Sequence, residues 1–568
     1  MAPSVAERQA ALERRFPRWR PLRLDQLLAA VAAESPDRPY VITDDRSFSY
    51  AEIDRWATRI AGGLRRAGVR PGEHVALVMA NFPEFVAVRY AIARVGAVCV
   101  PVNFLNRCDE LGYVLRQSGA VALVTMDRFR DLEYLSFLDQ LAPGWERAGG
   151  GDRIPALRTV VVHPTESGGG RPGAATLDSL SEGPEPDLSH VDRDASCAAD
   201  ILYTSGTTGE PKGVLLTHDM LLRTAYASAF SRAFSDSHRI TFSLPMYHVF
   251  GYVEGMLSVL FVGGSIVPQV AFGPASTLRA VERHRATDAL LIPTMTMAVL
   301  DELAGGGYDI SSLTSLISSG GTSPAGLWER LEKVFDGVEL TTGYGMSETT
   351  ATTALTRPDD PAERRRATNG RVRDAGVAGD PDRGARLVEY RAVDPESRVE
   401  VPRGEVGELL ARGPGVTAGY YRKPEETAAV FADGDGWLRT GDLARIDADD
   451  YITLAGRVKE SYRCGGEQVM PKEVEDVLCG HPTVAQAYVV PLPDDRMGEV
   501  GAAWIVLRAG AELDPDELVR HCTQRLARFK VPRHVLPIAA EDIPATPSGR
   551  PRKFLLAERA TALLKENG

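Results

Sequence analysis

The sequence has few cysteines, and they are not arranged as a disulfide framework or a metal site. The six cysteines show no CxxC pair and no metal-type spacing. The N-terminal stretch MAPSVAERQAALERRF has no apolar signal core. The longest apolar run, GMLSVLFVGGSIV, is broken by glycine and is too short to cross a bilayer. These absences predict reduced thiols, no membrane insertion and a cytoplasmic location.

Lysine is scarce, and acidic residues outnumber basic ones by 77 to 65. The 568 residues carry a formal net charge of −12, which argues against a nucleic-acid-binding face. Of the 65 lysines and arginines only eight are lysine, and two of these, Lys212 and Lys459, fall within motifs described below. The composition, with 44% hydrophobic and 25% charged residues, is that of an ordinary globular protein.

Alternating strand-like and helix-like stretches organise the first part of the chain. Apolar runs such as HVALVMA, AVCVPV and TVVVH alternate with helical stretches, which is typical of βα units around a mostly parallel sheet. Short strands between turns follow, and after GRVKE comes a compact α/β segment. We therefore predict an α/β fold with a large N-terminal domain of stacked α/β sheets (1–457), which includes a β-rich subdomain at about 376–455. A small mobile α/β C-terminal domain (458–568) would follow, with its hinge near Lys459.

A loop rich in glycine and hydroxyl groups is the sharpest chemical motif. In YTSGTTGEPKG, residues 203–213, glycines let the backbone approach a ligand closely, and Ser205, Thr207 and Thr208 offer hydroxyls beside exposed N–H groups. Lys212 adds a cation behind them. The spacing differs from the Walker A pattern GxxxxGK[ST]. A flexible polar loop is the alternative, but it explains the run of small and hydroxyl residues poorly, so the stretch predicts a polyphosphate cradle.

Together with this loop, further motifs resemble the adenylate-forming enzymes, which include acyl-CoA synthetases, peptide-synthetase adenylation domains and luciferases. The resembling stretches are PMYHVFG (245–251), GYGMSET (343–349), TGD (440–442), GRVKE (456–460) and GGEQVMPKEVE (465–475). The resemblance covers nearly the whole chain. It implies an enzyme of the acyl-CoA ligase branch, whose substrates are a carboxylic acid or its acyl-AMP and coenzyme A.

The resemblance also implies a site for ATP or for the AMP of an acyl-adenylate. Tyr344 would stack on adenine, Asp442 would accept hydrogen bonds from the ribose, and Arg457 would contact ribose or phosphate. Glu348 would bind Mg²⁺, because a carboxylate near a triphosphate needs a cation between them. Taken singly, these residues have alternatives as a core aromatic, a solvated charge or capping residues. The implied nucleotide-binding residues are Thr204, Ser205, Gly206, Thr207, Thr208, Lys212, Tyr344, Gly345, Ser347, Asp442 and Arg457.

The acid and CoA have implied positions too. His248 would lie near the reacting carboxylate, with a satisfied core histidine as its alternative. Lys459 would be the pivot about which the small domain rotates between two half-reactions, and Gly465 and Gly466 would line the pantetheine channel. The implied acyl-binding residues are His248, Gly320, Gly321 and Gly345. The pair Gly320 and Gly321 leaves room for a long or bulky acyl group.

The chief departure from the family pattern lies at TPSGRPRK, residues 546–553. In the family, a lysine directly after the glycine of this turn bridges the attacking carboxylate and the α-phosphate. Here Arg550 takes that catalytic position, and a broad guanidinium does not fit the place of a compact ammonium. This predicts weak or lost adenylation, with conversion of acyl-AMP and CoA to acyl-CoA as the main reaction and a separate enzyme supplying acyl-AMP. Two alternatives stay open: Arg550 keeps the function, or Lys553 supplies the ammonium.

Other functions were weighed against this hypothesis. One is the complete two-step, ATP-dependent acyl-CoA synthetase, and another is an adenylation domain that loads a carrier protein. A non-catalytic binder of nucleotide or acyl ligand is the alternative from another class, and the nearly intact phosphate loop, TGD and GR motifs argue against it. Arg463 is interpreted either as a contact to phosphate or AMP or as a solvated surface charge.

Overall fold

Apolar, β-branched runs form two mostly parallel sheets. The computed structural model describes residues 3–165, 171–184, 186–188, 191–192, 194–204, 210–321, 323, 326–465, 467–545 and 551–566. Within these ranges the first sheet contains, in spatial order, Glu339–Thr341, Ser315–Ser318, Asp288–Leu291, Arg239–Phe242, Ser265–Pro268, Pro39–Ile42 and Ser47–Ser49. The second contains Lys212–Thr217, Ala198–Thr204, Val98–Pro101, His74–Val78, Ala122–Met126, Thr159–His163 and Ala175–Thr176. One antiparallel pair lies at an edge of each sheet, and the other pairs are parallel.

Helices connect these strands, and their first residues follow from the sequence. Tyr50–Arg66 begins after Ser49, whose hydroxyl accepts from the Glu52 N–H while the Glu52 carboxylate accepts from the Ser49 N–H. Proline begins Pro83–Arg94, Pro274–His284 and Pro293–Leu303, where its missing N–H leaves no helical hydrogen bond unmade. The other described α-helices before residue 431 are Val5–Arg15, Leu24–Glu34, Cys108–Ser118, Tyr134–Leu141, Trp145–Ala148, Leu177–Leu180, His218–Ser231, Leu327–Val334, Ala362–Ala367 and Pro424–Val430.

A continuous hydrophobic core joins the two large sheets. It includes Ile240 and Ile266 of the first sheet and Val75 and Leu123 of the second, all fully buried. Burial on both faces explains why these strands read as continuous apolar runs rather than as alternating ones. Among the described residues, no helix combines the length and the apolarity needed to cross a membrane.

Two smaller antiparallel sheets follow the last strand of the large sheets in the chain. Gly343–Met346, Ala351–Leu355 and Arg371–Val372 form a three-stranded sheet. A four-stranded sheet contains Glu389–Val393, Gly407–Arg412, Leu438–Ile446 and Ile452–Arg457. Its core is distinct from that of the large sheets and includes Leu409, Leu438 and Ile452. A strand-rich region is therefore present where the short-strand pattern predicts one, and its limits at 376 and 455 stay a prediction.

The last part of the chain has its own sheet and its own core. The strands are Glu467–Val469, Tyr462–Cys464, Gly498–Leu507 and Val484–Asp494, with His534–Pro537 parallel to Gly498–Leu507. The helices Pro471–Cys479, Pro515–Thr523 and Lys553–Glu566 accompany them. Trp504 lies at the centre of this core and donates its indole N–H to the Leu556 carbonyl at 3.0 Å. The predicted mixed α/β class is confirmed.

Candidate active site

A β-hairpin holds the two ends of the glycine- and hydroxyl-rich loop. The strands Ala198–Thr204 and Lys212–Thr217 pair antiparallel and place Thr204 directly opposite Lys212. Gly213 is required there, because a Cβ at this position would lie 2.5 Å from Ile201 Cγ2. Four predicted phosphate-binding residues lie outside the described residues: Ser205, Gly206, Thr207 and Thr208. The hairpin thus fixes Thr204 and Lys212 at the base of the loop.

Tyr344, Asp442 and Arg457 meet at one buried carboxylate. The antiparallel register of the four-stranded sheet places Asp442 opposite Arg457, and Arg457 Nε lies 2.8 Å from Asp442 Oδ1. This contact is an ion pair without hydrogen-bond alignment. The Tyr344 hydroxyl donates to Asp442 Oδ2 at 2.7 Å. Burial is the main cause that raises the Tyr344 pKa, and the negative charge of Asp442 is the second. Three predicted nucleotide-binding residues, far apart in sequence, therefore lie together.

Glu348 is a buried carboxylate in a short 3₁₀ segment, Ser347–Thr349. Its Oε1 accepts a hydrogen bond from the Tyr420 hydroxyl at 2.9 Å, and burial raises its pKa. The two residues after this segment, Thr350 and Ala351, have φ of 58° and 84°, a conformation that non-glycine residues rarely adopt. The Thr350 hydroxyl donates to the Gly415 carbonyl at 2.8 Å, which helps to hold this strained turn.

The donor chemistry at Glu348 fits Mg²⁺ held jointly with phosphates. The described residues contain no group of three or more His, Cys, Asp or Glu side chains that could hold a metal ion. Mg²⁺ commonly binds through one or two carboxylates while substrate phosphates and water complete its shell. A single carboxylate such as that of Glu348 is therefore a suitable protein ligand for this ion, and a closed protein cage is not needed.

Residues 417–421 connect the hairpin to the Glu348 turn. Leu215 N–H donates to the Gly419 carbonyl at 3.1 Å, and Tyr421 N–H donates to the Gly213 carbonyl at 2.8 Å. Thr417 reaches both sides: its hydroxyl donates to the Leu215 carbonyl at 2.6 Å, and its N–H donates to the Glu348 carbonyl at 2.8 Å. Sequence reasoning missed this segment, and GVTAGYY gives no signal of its contacts.

His248 has one ring nitrogen occupied by the backbone. The Phe250 N–H donates to His248 Nδ1 at 3.3 Å, and burial lowers the His248 pKa to about 4. A neutral ring that accepts at Nδ1 carries its proton on Nε2. The residues that follow, Phe250–Leu257, form a π-helix, a geometry that is frequent at functional sites. His248 can therefore offer a neutral N–H donor to a carboxylate or carbonyl oxygen.

The predicted acyl-binding glycines lie in different environments. A Cβ at Gly320, where φ is 90°, would lie 3.4 Å from Ile292 and 3.6 Å from Phe250. A Cβ at Gly321 would lie 3.7 Å from Pro293. Both glycines are exposed. Gly345 differs, because a Cβ there would lie 1.8 Å from the Ala351 carbonyl oxygen, so pairing with the next strand already accounts for this glycine.

The predicted hinge and CoA-binding residues follow the last strand of the four-stranded sheet. Lys459 lies in the turn after Ile452–Arg457, where Val458 N–H donates to the Gly441 carbonyl at 3.0 Å. Gly465 has φ of 62° and approaches Met497 closely. Arg463 forms an exposed ion pair with Glu396. Gly466 and Arg550 lie outside the described residues.

Lys553, the lysine nearest to Arg550, is bound by two carboxylates. Its Nζ lies 2.7 Å from Glu475 Oε1 and 3.2 Å from Glu460 Oε2. Burial opposes the charge of this ammonium, but Glu475 and Glu460 raise its pKa. The side chain is only 17% exposed, so the ammonium is enclosed within the last part of the chain. Its charge is already compensated locally.

The chain is similar to known proteins along most of its length. The family profile "AMP-binding enzyme" matches residues 28–421, and "AMP-binding enzyme C-terminal domain" matches residues 473–550. The chain is 35% identical to a putative acyl-CoA synthetase, YngI, of Bacillus subtilis over 94% of this chain and 96% of the relative. It is 34% identical to a feruloyl-CoA synthase of Amycolatopsis sp over 91% and 95% of the two chains.

A solved structure supports the same relationship. The anthranilate CoA ligase AuaEII in complex with anthranoyl-AMP superposes with a TM-score of 0.82 at 25% identity. The match covers 97% of this chain and 99% of that chain. The large N-terminal and small C-terminal domains predicted from the sequence are those of these structural relatives.

Proposed function

The chain belongs to the AMP-binding enzyme family, as an acid–thiol ligase that forms acyl-CoA through an acyl-adenylate, and on that premise we propose that its adenylation step is weak. Its main reaction is then the second one, in which the CoA thiol displaces AMP from acyl-AMP. The substrates are a carboxylic acid or its acyl-AMP and CoA. The requirement for a separate adenylating enzyme is part of this proposal, and the comparisons do not support such a partner.

The observation that carries the proposal is the enclosure of Lys553. For Lys553 to replace the missing lysine, its ammonium would have to leave Glu475 and Glu460. Separating an enclosed ion pair leaves carboxylates without compensation, at a cost on the order of 3 kcal/mol. Pro551 also stiffens the segment between the turn and Lys553. Of the two alternatives for this turn, a register shift to Lys553 is therefore disfavoured.

Arg550 remains as the cation in the family position. The C-terminal profile match extends to Arg550, so the matched segment includes this position. A guanidinium is planar and spreads its charge over a fork of donors, whereas an ammonium is a compact point charge. Loss of one well-aimed donor to developing charge commonly lowers a rate by about 10²–10³. We expect a penalty of this size on adenylation alone, because the turn does not serve the second reaction in the family.

The described residues have clear tasks in this proposal. Asp442 and Arg457 bind the ribose and phosphate of AMP, and Tyr344 orients Asp442 while its ring contacts adenine. The neutral His248 ring donates a hydrogen bond from its Nε2–H to an oxygen of the acyl group. Glu348 would hold Mg²⁺, which supplies charge neutralisation for the triphosphate when it is bound. These tasks need the buried, preorganised carboxylates that the site contains.

The moving parts are also proposals. We place the domain boundary near residues 457–458 and the pivot of the rotation at Lys459. We also propose that the enzyme is cytoplasmic. Gly465 and Gly466 would line the channel for the pantetheine arm of CoA after rotation. The ion pair of Arg463 with Glu396 favours the interpretation of Arg463 as a surface charge, because an already paired guanidinium is less available to phosphate.

The complete two-step synthetase is the second candidate, and a specific observation favours it. The contacts of Tyr344 and Arg457 with Asp442, and the buried Glu348 carboxylate that accepts from Tyr420, would suit a nucleotide and a metal ion. The relatives named above as synthetases also match along nearly their whole length. A non-catalytic binder does not require this organisation, so it is the weakest of the three.

The test is ATP–pyrophosphate exchange with the native protein, Arg550→Lys and Arg552→Lys. The last variant is the matched control, since it makes the same change two residues away. Acids from short to long fatty acids, and aromatic acids such as ferulate and anthranilate, form the panel. Exchange by Arg550→Lys alone supports the proposal. Strong exchange by the native protein identifies the complete two-step enzyme.

Thioester formation from synthetic acyl-AMP and CoA is the second measurement. We expect the native protein and both arginine variants to form acyl-CoA at similar rates, because the turn is carried away from the site in this reaction. Failure of every acyl-AMP in the panel would contradict the proposal and would favour a non-catalytic binder. The acyl-AMP used most rapidly then defines the class of acid.

A further inference from the structure

One side chain, Tyr420, contacts both of the charged residues that face the proposed triphosphate. Its hydroxyl donates to Glu348 Oε1 at 2.9 Å. Its ring centre lies 5.0 Å from Lys212 Nζ, within the range of a cation–π interaction. Lys212 comes from the hairpin and Glu348 from the 3₁₀ turn, so Tyr420 joins two separate elements of the site.

Neither Lys212 nor Glu348 forms an ion pair with another described residue, although their charges are opposite. Lys212 and Glu348 would attract each other strongly in a site of low dielectric. Tyr420 gives each of them a weaker and neutral partner. The carboxylate keeps a second oxygen for another ligand, and the ammonium keeps its three N–H donors.

The backbone holds Tyr420 in this place. Tyr420 forms an antiparallel bridge with Val214, next to the hairpin strand that begins at Lys212. Its N–H donates to the Thr427 hydroxyl at 3.0 Å. The ring is half-buried. These contacts fix the backbone of Tyr420, and the hydrogen bond to Glu348 fixes the far end of its side chain, as positioning of a neighbouring ligand requires.

We propose that Tyr420 is a positioning residue that holds Glu348 and Lys212 apart and oriented for a metal–triphosphate complex. The inference rests on the proposed roles of Glu348 and Lys212. The hydroxyl orients the carboxylate toward the divalent cation, and the ring face supports the ammonium beside the phosphates. Tyr420 itself contacts no reacting atom in this scheme.

Two substitutions separate the two contacts. Tyr420→Phe removes the hydroxyl and keeps the ring, whereas Tyr420→Leu removes both. The probe is α,β-methylene-ATP, whose α–β linkage the adenylation reaction does not cleave, with binding measured by calorimetry in the presence and absence of Mg²⁺. Tyr451→Phe is the matched control, because the Tyr451 hydroxyl also donates to a carboxylate, that of Asp360, at 2.7 Å and takes no part in the site.

The expected results differ for each variant. Tyr420→Phe lowers the gain in affinity due to Mg²⁺ by about three- to tenfold, the range for one lost hydrogen bond. Its metal-free affinity and melting temperature stay near those of the native protein. Tyr420→Leu also weakens metal-free binding, because Lys212 loses its support and can pair with Glu348. Tyr451→Phe changes neither affinity.

An unchanged Mg²⁺-dependent gain in Tyr420→Phe would overturn the inference. Glu348→Gln tells this failure apart from a failure of the proposed function. If Glu348→Gln abolishes the gain while Tyr420→Phe keeps it, Tyr420 has no positioning role and Glu348 keeps its own. If the native protein shows no gain, or Glu348→Gln retains it, Glu348 is not a metal ligand, and both its proposed role and that of Tyr420 are wrong.

Discussion

Lys553 Nζ lies 2.7 Å from Glu475 Oε1, and the same carboxylate oxygen accepts a hydrogen bond from the Val489 N–H at 2.8 Å. Glu475 therefore joins the first residue of the last helix, Lys553–Glu566, to the long strand Val484–Asp494. This contact gives Lys553 a structural task, which is separate from the catalytic task of a lysine in the family turn.

We expect Lys553→Gln to destabilise the last part of the chain by about 3 kcal/mol, because Glu475 and Glu460 lose their shared cation in a mostly enclosed position. The free energy of local unfolding is measured by hydrogen exchange of amides in Val484–Asp494 and Gly498–Leu507. Lys472→Gln is the control, since Lys472 pairs with an exposed carboxylate, Asp476, and should change stability by less than about 0.5 kcal/mol. Equal effects of the two substitutions would contradict this assignment.

His248 should stay neutral throughout the physiological range. Burial lowers its pKa from the ordinary value of 6.5 to about 4, so the folded protein binds fewer protons at this ring than the unfolded chain does. The His248 contribution to stability is therefore intact above about pH 6.5 and is lost progressively as the pH falls toward 4. NMR titration of the His248 ring nitrogens checks this, and a midpoint between pH 6 and 7 (about the unperturbed value) would contradict it.

Gly320→Ala should impair the use of bulky acyl groups more than that of short ones. The new methyl group would approach Ile292 and Phe250, and φ of 90° adds backbone strain on the order of 1 kcal/mol. Gly321→Ala is the matched control, because it has an ordinary φ and more distant neighbours. The measurement is kcat/KM for thioester formation from an aromatic and a short-chain acyl-AMP. A uniform loss with both substrates would place Gly320 outside the acyl site.

Much of the fold follows from local sequence patterns. Apolar runs such as TVVVH and HVALV form the expected buried strands, because the parallel strands of the large sheets are covered on both faces. The short motifs TGD and GR also form a pair. Asp442 and Arg457 belong to adjacent antiparallel strands, so a single register brings them together.

Other features depend on contacts that no local pattern encodes. Tyr420 reaches Glu348, 72 residues earlier in the chain, and Thr417 reaches Leu215, 202 residues earlier. Gly345 looks like a ligand-binding glycine in sequence, yet its missing Cβ is explained by the neighbouring strand. Lys553 looks available in sequence, and only packing reveals its two carboxylate partners. Such long-range pairs are set by tertiary packing and not by propensity.

The contacts of residues 417–421 limit which segments can be exchanged between this chain and its relatives. This segment lies within the predicted β-rich stretch of 376–455, yet its hydrogen bonds end on Gly213, Leu215 and Glu348. A chimera that replaced only the β-rich stretch would therefore mismatch both the hairpin of Ala198–Thr204 and Lys212–Thr217 and the Glu348 turn. A junction after Arg457 would leave those hydrogen bonds intact, which makes it the better crossover point for exchanging the last part of the chain.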